Sequence, residues 1–278
     1  MDWDSELQLP ATVFVILRDL IHERLGIYYE DDKRQLLAEK LMPHVTERGF
    51  GSFLDYYYLL KYGPGAEEEW PYVMDALSVQ ETYFWREMGQ IQALVNRFVP
   101  EYAAAYPNQP LSIWCAACAS GEEPLTIAMA LAEAGWFDRL SIQLFASDAS
   151  SAALAKAARG IYRDRSFRAL PLTLRQKYFT EVPNGRRIDP ALHSRISWAR
   201  ANLMAAEDVA PFISSPIIFC RNVFIYFSEQ NIARTVKRFA RGMRRPGYLF
   251  VGAAESLLKL SDDFELREAG DAFVYALR

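Results

Sequence analysis

Residues 111–123 read LSIWCAACASGEE: an apolar run, then a loop of small side chains, then two adjacent carboxylates. The loop is Ala116-Ala117-Cys118-Ala119-Ser120-Gly121, and small side chains allow backbone to approach a ligand closely. It lacks the GxGxxG spacing of a dinucleotide site. Glu122 and Glu123 suit the start of a helix, where the dipole favours negative charge. They also oppose a pyrophosphate in the same place. The segment therefore disfavours NAD, FAD and ATP and favours a cationic ligand such as a sulfonium or an amine. Asp148 closes a second strand-like run, SIQLFASD, where a carboxylate accepts hydrogen bonds from both ribose hydroxyls of a nucleoside. A helix N-cap is the structural alternative for it. Cys220-Arg221-Asn222 ends a third apolar run, and such polar groups must find partners or face a cleft. Asn222 is expected opposite the Gly121 loop, with a structural role for Arg221 as the alternative.

Two further clusters stay open on the residues alone. Cys115 and Cys118 form a CxxC, but Cys115 closes a strand and no second cysteine pair follows, so buried thiols are favoured over redox or zinc chemistry. No metal site is expected. Residues 78–87, SVQETYFWRE, mix aromatic and hydrogen-bonding groups between two regions of different pattern. They suit a ligand contact or an apolar staple between domains.

The elements needed to position these residues alternate. Residues 11–25 carry apolar positions at helical spacing, and Gly26 stops that helix. A second helix is expected over 31–48, interrupted or ended by Pro43. Ser52 looks like the N-cap of FLDYYYLLKY, and residues 67–77 give another helix. After about residue 110 the strand candidates 111–115, 141–148, 196–203, 215–227 and 248–253 alternate with helices. The end, FELREAGDAFVYALR, reads as two strands joined at Ala269-Gly270. Asn184-Gly185 marks a small antiparallel excursion at about 172–195. The expected fold is α/β: a doubly wound, mostly parallel seven-stranded sheet with a small all-helical N-terminal domain. The expected divisions are 1–77 (helical), 78–95 (connecting) and 96–278 (ligand-binding).

Charge supports two parts. Residues 1–75 hold 15 Asp/Glu and 7 Lys/Arg, whereas the whole chain is net −4. Residues 159–200 hold 10 basic and 3 acidic side chains. That basic stretch suits nucleic acid, an acidic protein surface or plain solvent exposure. No apolar run is long enough to span a membrane, and the acidic start MDWDSELQLP lacks the plan of a signal peptide. A cytoplasmic protein is expected.

These residues resemble the CheR family of chemotaxis-receptor methyltransferases over nearly the whole chain. LSVQETYFWRE is similar to the stretch joining that family's two domains, and IWCAACASGEEPLTIAMAL to its first cofactor motif. ASDASSAALAKAARGIY, FCRNVFIYF and GYLFVGAAESL follow in the family's order. The resemblance implies a Rossmann-like class I methyltransferase that uses S-adenosyl-L-methionine, releases S-adenosyl-L-homocysteine and esterifies glutamates of a chemoreceptor in signal transduction. It places Gln80, Thr82, Arg86, Ala117, Gly121, Glu122, Asp148, Asn202, Leu203, Asn222 and Val223 at the cofactor, with Glu122 on its methionyl or sulfonium side. Arg86, Arg221 and Tyr226 would face the transfer cleft. The implied partner is a protein, in particular cytoplasmic receptor helices, without nucleic acid or membrane insertion, and a monomer is expected. A cofactor-binding sensor with little turnover, or methylation of another protein, is the alternative.

The chain departs from the family's pattern in places. Gln80 stands where Asn is usual, and Ala253-Ala254 where His-Ser is frequent. Its second helix lacks the family's run of arginines, so the basic excursion around Arg186 and Arg187 is a candidate to carry more of the receptor contact.

Overall fold

The computed structural model describes residues 8–278. The first seven residues of the acidic start lie outside it. Four helices open the described chain. In α1 (Ala11–Leu25), Val13, Leu17, Leu20, Ile21 and Leu25 form a buried stripe, and Gly26 ends it in the left-handed region at φ 80°. The next helix, α2 (Arg34–Glu47), corrects an expectation, because it continues through Pro43. Leu37, Leu41 and Val45 lie buried on both sides of the proline. Burying that continuous stripe outweighs the missing backbone hydrogen bond. In α3 (Phe53–Tyr62) the Ser52 hydroxyl accepts from the Asp55 N–H, and α4 (Ala66–Leu77) closes the group. The four share one apolar core built on Leu17, Leu37, Phe53, Tyr56 and Val73.

The connecting segment belongs to a different core. Phe84 is fully buried with Leu94 and Phe98 against the sheet. Helices α5 (Met88–Ala93) and α6 (Val99–Ala105) continue one another through a π turn over Leu94–Phe98. The Trp136 indole donates to the Val95 carbonyl within that turn.

The ligand-binding part alternates as expected: β1 (Leu111–Ala116), α7 (Glu122–Glu133), β2 (Ile142–Asp148), α8 (Ser151–Arg159), β3 (Ile161–Tyr162), α9 (Leu172–Tyr178), β4 (Phe179–Val182), β5 (Gly185–Ile188), α10 (Pro190–His193), β6 (Ile196–Arg200), α11 (Ala206–Val209), β7 (Ile217–Phe219), α12 (Glu229–Gly242), β8 (Tyr248–Phe250), β9 (Phe264–Ala269) and β10 (Ala272–Leu277). The large sheet has seven strands in the order β6-β2-β1-β7-β8-β10-β9. Its first five strands are parallel, and the terminal hairpin adds two antiparallel pairings. Alternation along β1 sends Leu111, Ile113 and Cys115 into one core layer and Trp114 and Ala116 into the other. Both faces are therefore covered.

Two expectations are modified. The candidate strand at 215–227 pairs only over Ile217–Phe219. Beyond it Asn222 adopts φ 58° and Phe224–Tyr226 forms a tight helical turn, so the polar pair Arg221-Asn222 leaves the sheet. The antiparallel excursion begins earlier than 172, because β3 joins it in the order β3-β5-β4. No helix among the described residues is long and apolar enough to cross a membrane.

Candidate active site

The topology brings the suspected residues to one place. The strand order reverses between β1 and β7, and a crevice opens there beyond the carboxyl ends of the strands. A cavity of about 410 Å³ occupies it. Ala117 and Ala119 from the loop after β1, Asp148 at the end of β2, Asn202 and Leu203 after β6, and Arg221, Asn222 and Val223 after β7 line its sheet side. Leu25, Tyr28, Leu36 and Leu77 line it from the helical part. Gln80, Thr82 and Arg86 of the connecting segment, with Tyr226, complete the wall.

Two expected residues do not line it. Gly121, at φ 94°, packs beneath the Trp198 ring, and a Cβ there would stand 2.8 Å from that ring. Its glycine is required by the core, not by a ligand's approach. Glu122 is likewise turned away, at 2% exposure. The Ser120 and Ser166 hydroxyls donate to its two oxygens at 2.7 and 2.9 Å. The neighbouring carboxylate, Glu123, lines the cavity instead. An adjacent Glu-Glu pair does not show which member faces inward. That depends on Ser166, more than forty residues downstream.

Three backbone donors of the loop after β1 are turned to the protein's own acceptors. The Cys118 N–H bonds to the Ser147 carbonyl, the Gly121 N–H to the Cys118 carbonyl, and the Ala119 N–H to Asp148 at 2.8 Å. This disposition is not a phosphate cradle. Asp148 also accepts from the Ser150 N–H at 2.8 Å and is 8% exposed. It is thus both the N-terminal anchor of α8 and a cavity residue. Burial pushes its carboxyl above the usual range, opposed by those backbone donors.

The floor is an ion cluster. Arg221 Nη1 lies 3.1 Å from Glu123, and its Nη2 lies 3.1 Å from Glu87 and 3.0 Å from the Arg86 carbonyl. The side chain of Arg221 is 2% exposed, and its buried Nε has no partner among the described residues. Burial raises the Glu123 carboxyl, and Arg221 opposes that rise. Arg86, with its Nε near Glu87, adds a second cation, so the cluster sets two guanidinium groups against two carboxylates. Arg221 therefore does not offer a free charge to an incoming acceptor. Arg86 keeps more of its own, 3.7 Å from Glu87 and 5.6 Å from the Tyr83 ring centre. Cys115, Cys118 and Cys220 are buried free thiols, and burial pushes all three well above their ordinary pKa.

The helical part is tied to the same site. Asp75 accepts from the Ser150 hydroxyl at 2.6 Å and from the Ala152 N–H at 3.2 Å. Gln80, whose extra methylene extends its reach, bonds Lys156 and Ser150. The Asn202 amide donates to the Arg24 carbonyl at 2.7 Å. The Tyr28 N–H donates to the Tyr226 carbonyl at 2.8 Å.

The residues present fit S-adenosyl-L-methionine. The cavity is of small-molecule size. It offers the Asp148 carboxylate for hydroxyl groups, the Glu123 carboxylate for a cation, apolar walls, and no phosphate-binding loop.

Comparisons with known proteins agree. Residues 80–273 match the family model described as "CheR methyltransferase, SAM binding domain", and residues 13–78 match "CheR methyltransferase, all-alpha domain". The chain is 31% identical over 266 residues to "Chemotaxis protein methyltransferase 2" of Vibrio cholerae, covering 95% of this chain and 92% of that one. It is 34% identical over 269 residues to "Chemotaxis protein methyltransferase" of Klebsiella aerogenes, covering 95% and 89%. It is 30% identical over 273 residues to "Chemotaxis protein methyltransferase Cher2" of Pseudomonas putida, covering 94% and 96%.

Proposed function

The chain belongs to the CheR methyltransferase family, with an S-adenosylmethionine-binding domain, and from that premise we propose that it methylates glutamate side chains of a chemoreceptor-type protein. The observation that carries this reading is the cavity floor. The Glu123 carboxylate, held by Arg221, lies at one end, with Asp148 and Asn202 also on the wall. That layout orders a nucleoside with a cationic arm. When bound, S-adenosyl-L-methionine supplies an electrophilic methyl group on sulfur and leaves as S-adenosyl-L-homocysteine.

The protein's own work is placement. A glutamate acceptor, with an unperturbed pKa of about 4.3, is ionised at neutral pH, so no general base is needed. Arg86 and Tyr226 are assigned to the acceptor side, and Gln80, Thr82, Asn202, Leu203, Asn222 and Val223 to the donor side. Burial pushes the Tyr226 phenol above its ordinary pKa, so it stays protonated and donates to a carboxylate. Arg86 orients the acceptor without a tight ion pair, because Glu87 draws on the same charge. That restraint avoids stabilising the ground state. Leu25, Ile27, Leu77 and Phe227 keep water from the methyl group. Alignment of this kind is worth roughly 7–11 kcal/mol. The division between helical and donor-binding parts is assigned to about residue 78, a working location in the cytoplasm follows from the acceptor, and the monomer is taken as the active unit.

The test is incubation of receptor-bearing membranes with methyl-labelled cofactor. Label on a receptor that is released as methanol in mild base is expected. Base-stable label, or none with cofactor binding intact, would overturn the reading.

A further inference from the structure

Beside the cavity lies a second groove that the chemistry so far does not use. It runs between the start of α5, the chain after β8 and the turn leading into β10, and encloses about 430 Å³. Strand β10 is antiparallel to β8, so its first residues stand at the edge of the sheet where the parallel strands end. The groove therefore opens on the same edge as the cavity. The two share a wall. Glu87 accepts from Arg221 on the cavity side and from the Ala253 N–H on the groove side, at 3.1 and 3.3 Å. Glu255 accepts from the Asn222 and Gly252 N–H groups at 2.8 and 2.6 Å.

Three features of the groove ask for an occupant. Leu258, Leu266 and Phe273 line it while 64%, 39% and 59% exposed, an apolar rim left in water. Glu87, Glu255 and Asp271 line it with no lysine or arginine among the described residues. Gln90, 8% exposed, donates to the Val251 carbonyl at 2.7 Å, but its buried Oε1 accepts from nothing among the described residues. A buried amide oxygen left unpaired is costly, and a donor supplied from outside removes that cost.

We propose that this groove seats a segment of the acceptor protein, unwound from the receptor helix at that point, next to the glutamate being methylated. A large apolar side chain of that segment covers Phe273 and Leu258, a lysine or arginine meets Asp271, and a backbone N–H bonds Gln90 Oε1. The inference rests on the reading of the chain as a protein methyltransferase. The groove gives that enzyme a preference for glutamates flanked by an apolar and a basic residue. Charge favours such a segment over a second copy of the chain, because a twofold contact through this face would bring together two acidic linings with no basic side chain between them.

The probes are fluorescein-labelled nonapeptides with a central glutamate followed by Leu-Lys, Ser-Lys or Leu-Glu. Anisotropy is read with the full chain saturated in S-adenosyl-L-homocysteine. The Leu-Lys peptide is expected to bind about tenfold tighter than either other peptide, the scale of burying one leucine. Phe273→Ser abolishes the preference for Leu over Ser, and Asp271→Lys reverses the preference for Lys over Glu. Both positions are exposed, so an unchanged melting temperature is expected. Equal binding of the three peptides by the parent protein overturns the proposal, as do preferences that survive both substitutions. So does a concentration-dependent dimer that excludes the peptides. Ester formation is measured in parallel. Discrimination in binding without any ester supports the groove and overturns the glutamate reading. Ester without discrimination does the reverse.

Discussion

Glu123 and Arg221 meet at 3.1 Å on the floor of the cavity, one from the first turn of α7 and the other from the chain just past β7. The pair spans the point where the sheet reverses its strand order. It holds a carboxylate against the cavity that Glu122, its neighbour in sequence, turns away from. Glu123→Gln is expected to weaken cofactor binding about tenfold, the scale of one charge-assisted hydrogen bond. Glu122→Gln should change it by less than about threefold, within roughly 0.7 kcal/mol. Calorimetry with S-adenosyl-L-homocysteine on both variants checks this. The opposite ranking would return the role to Glu122.

Asp148→Ala removes a carboxylate that faces the cavity and also accepts the N–H groups of Ala119 and Ser150. Cofactor affinity is expected to fall by about tenfold to a hundredfold, from a loss of roughly 1.5–3 kcal/mol. The melting temperature should fall as well. Unaltered affinity would remove Asp148 from the site.

Glu122 carries a dependence of stability on pH. Burial raises its pKa above the ordinary 4.5. The folded protein therefore holds that proton to higher pH than the unfolded chain does. The stabilisation is fully present below the unfolded pKa and is lost as pH rises through the folded value. Thermal denaturation between pH 4.5 and 7 should show a declining component that Glu122→Gln lacks. Gln keeps both an acceptor and a donor for the Ser120 and Ser166 hydroxyls. A variant with the parent's slope would place the proton elsewhere.

Asp75 binds Ser150, whose own N–H binds Asp148, so a helical-domain carboxylate reaches the cavity through one serine. Asp75→Ala should cost about 1–3 kcal/mol of stability. It should also raise the cofactor dissociation constant, although Asp75 does not line the cavity. Differential scanning fluorimetry with and without S-adenosyl-L-homocysteine separates the two effects. A drop in melting temperature with no change in the ligand-induced shift would confine Asp75 to structure.

Much of this architecture was legible because it is local. Ser52 caps α3 by bonding the residue three positions on, and Gly26 ends α1 in the left-handed region. The alternation of strands and helices led to the sheet and so to the shared edge of Asp148 and Asn222. What was misread depends on distant partners. Pro43 survives inside α2 because Leu37 and Val45 bury the same stripe. Gly121 answers to Trp198, and Glu122 to Ser166. Arg221 was expected at the cleft and lines it, yet its charge is taken up by carboxylates from two other segments. Periodicity does not carry information about pairings of that range.

The cavity's ceiling and floor come from different cores. Leu25, Tyr28 and Leu36 descend from the helical part, while Asp148 and Asn222 rise from the sheet. A small molecule between them is a rivet as much as a reagent. Its binding energy is drawn on to hold two folding units together, by about 2.7 kcal/mol at a hundredfold excess over its dissociation constant. The cell's supply of methyl donor thereby becomes a mechanical quantity, read out as the resistance of the two cores to being pried apart.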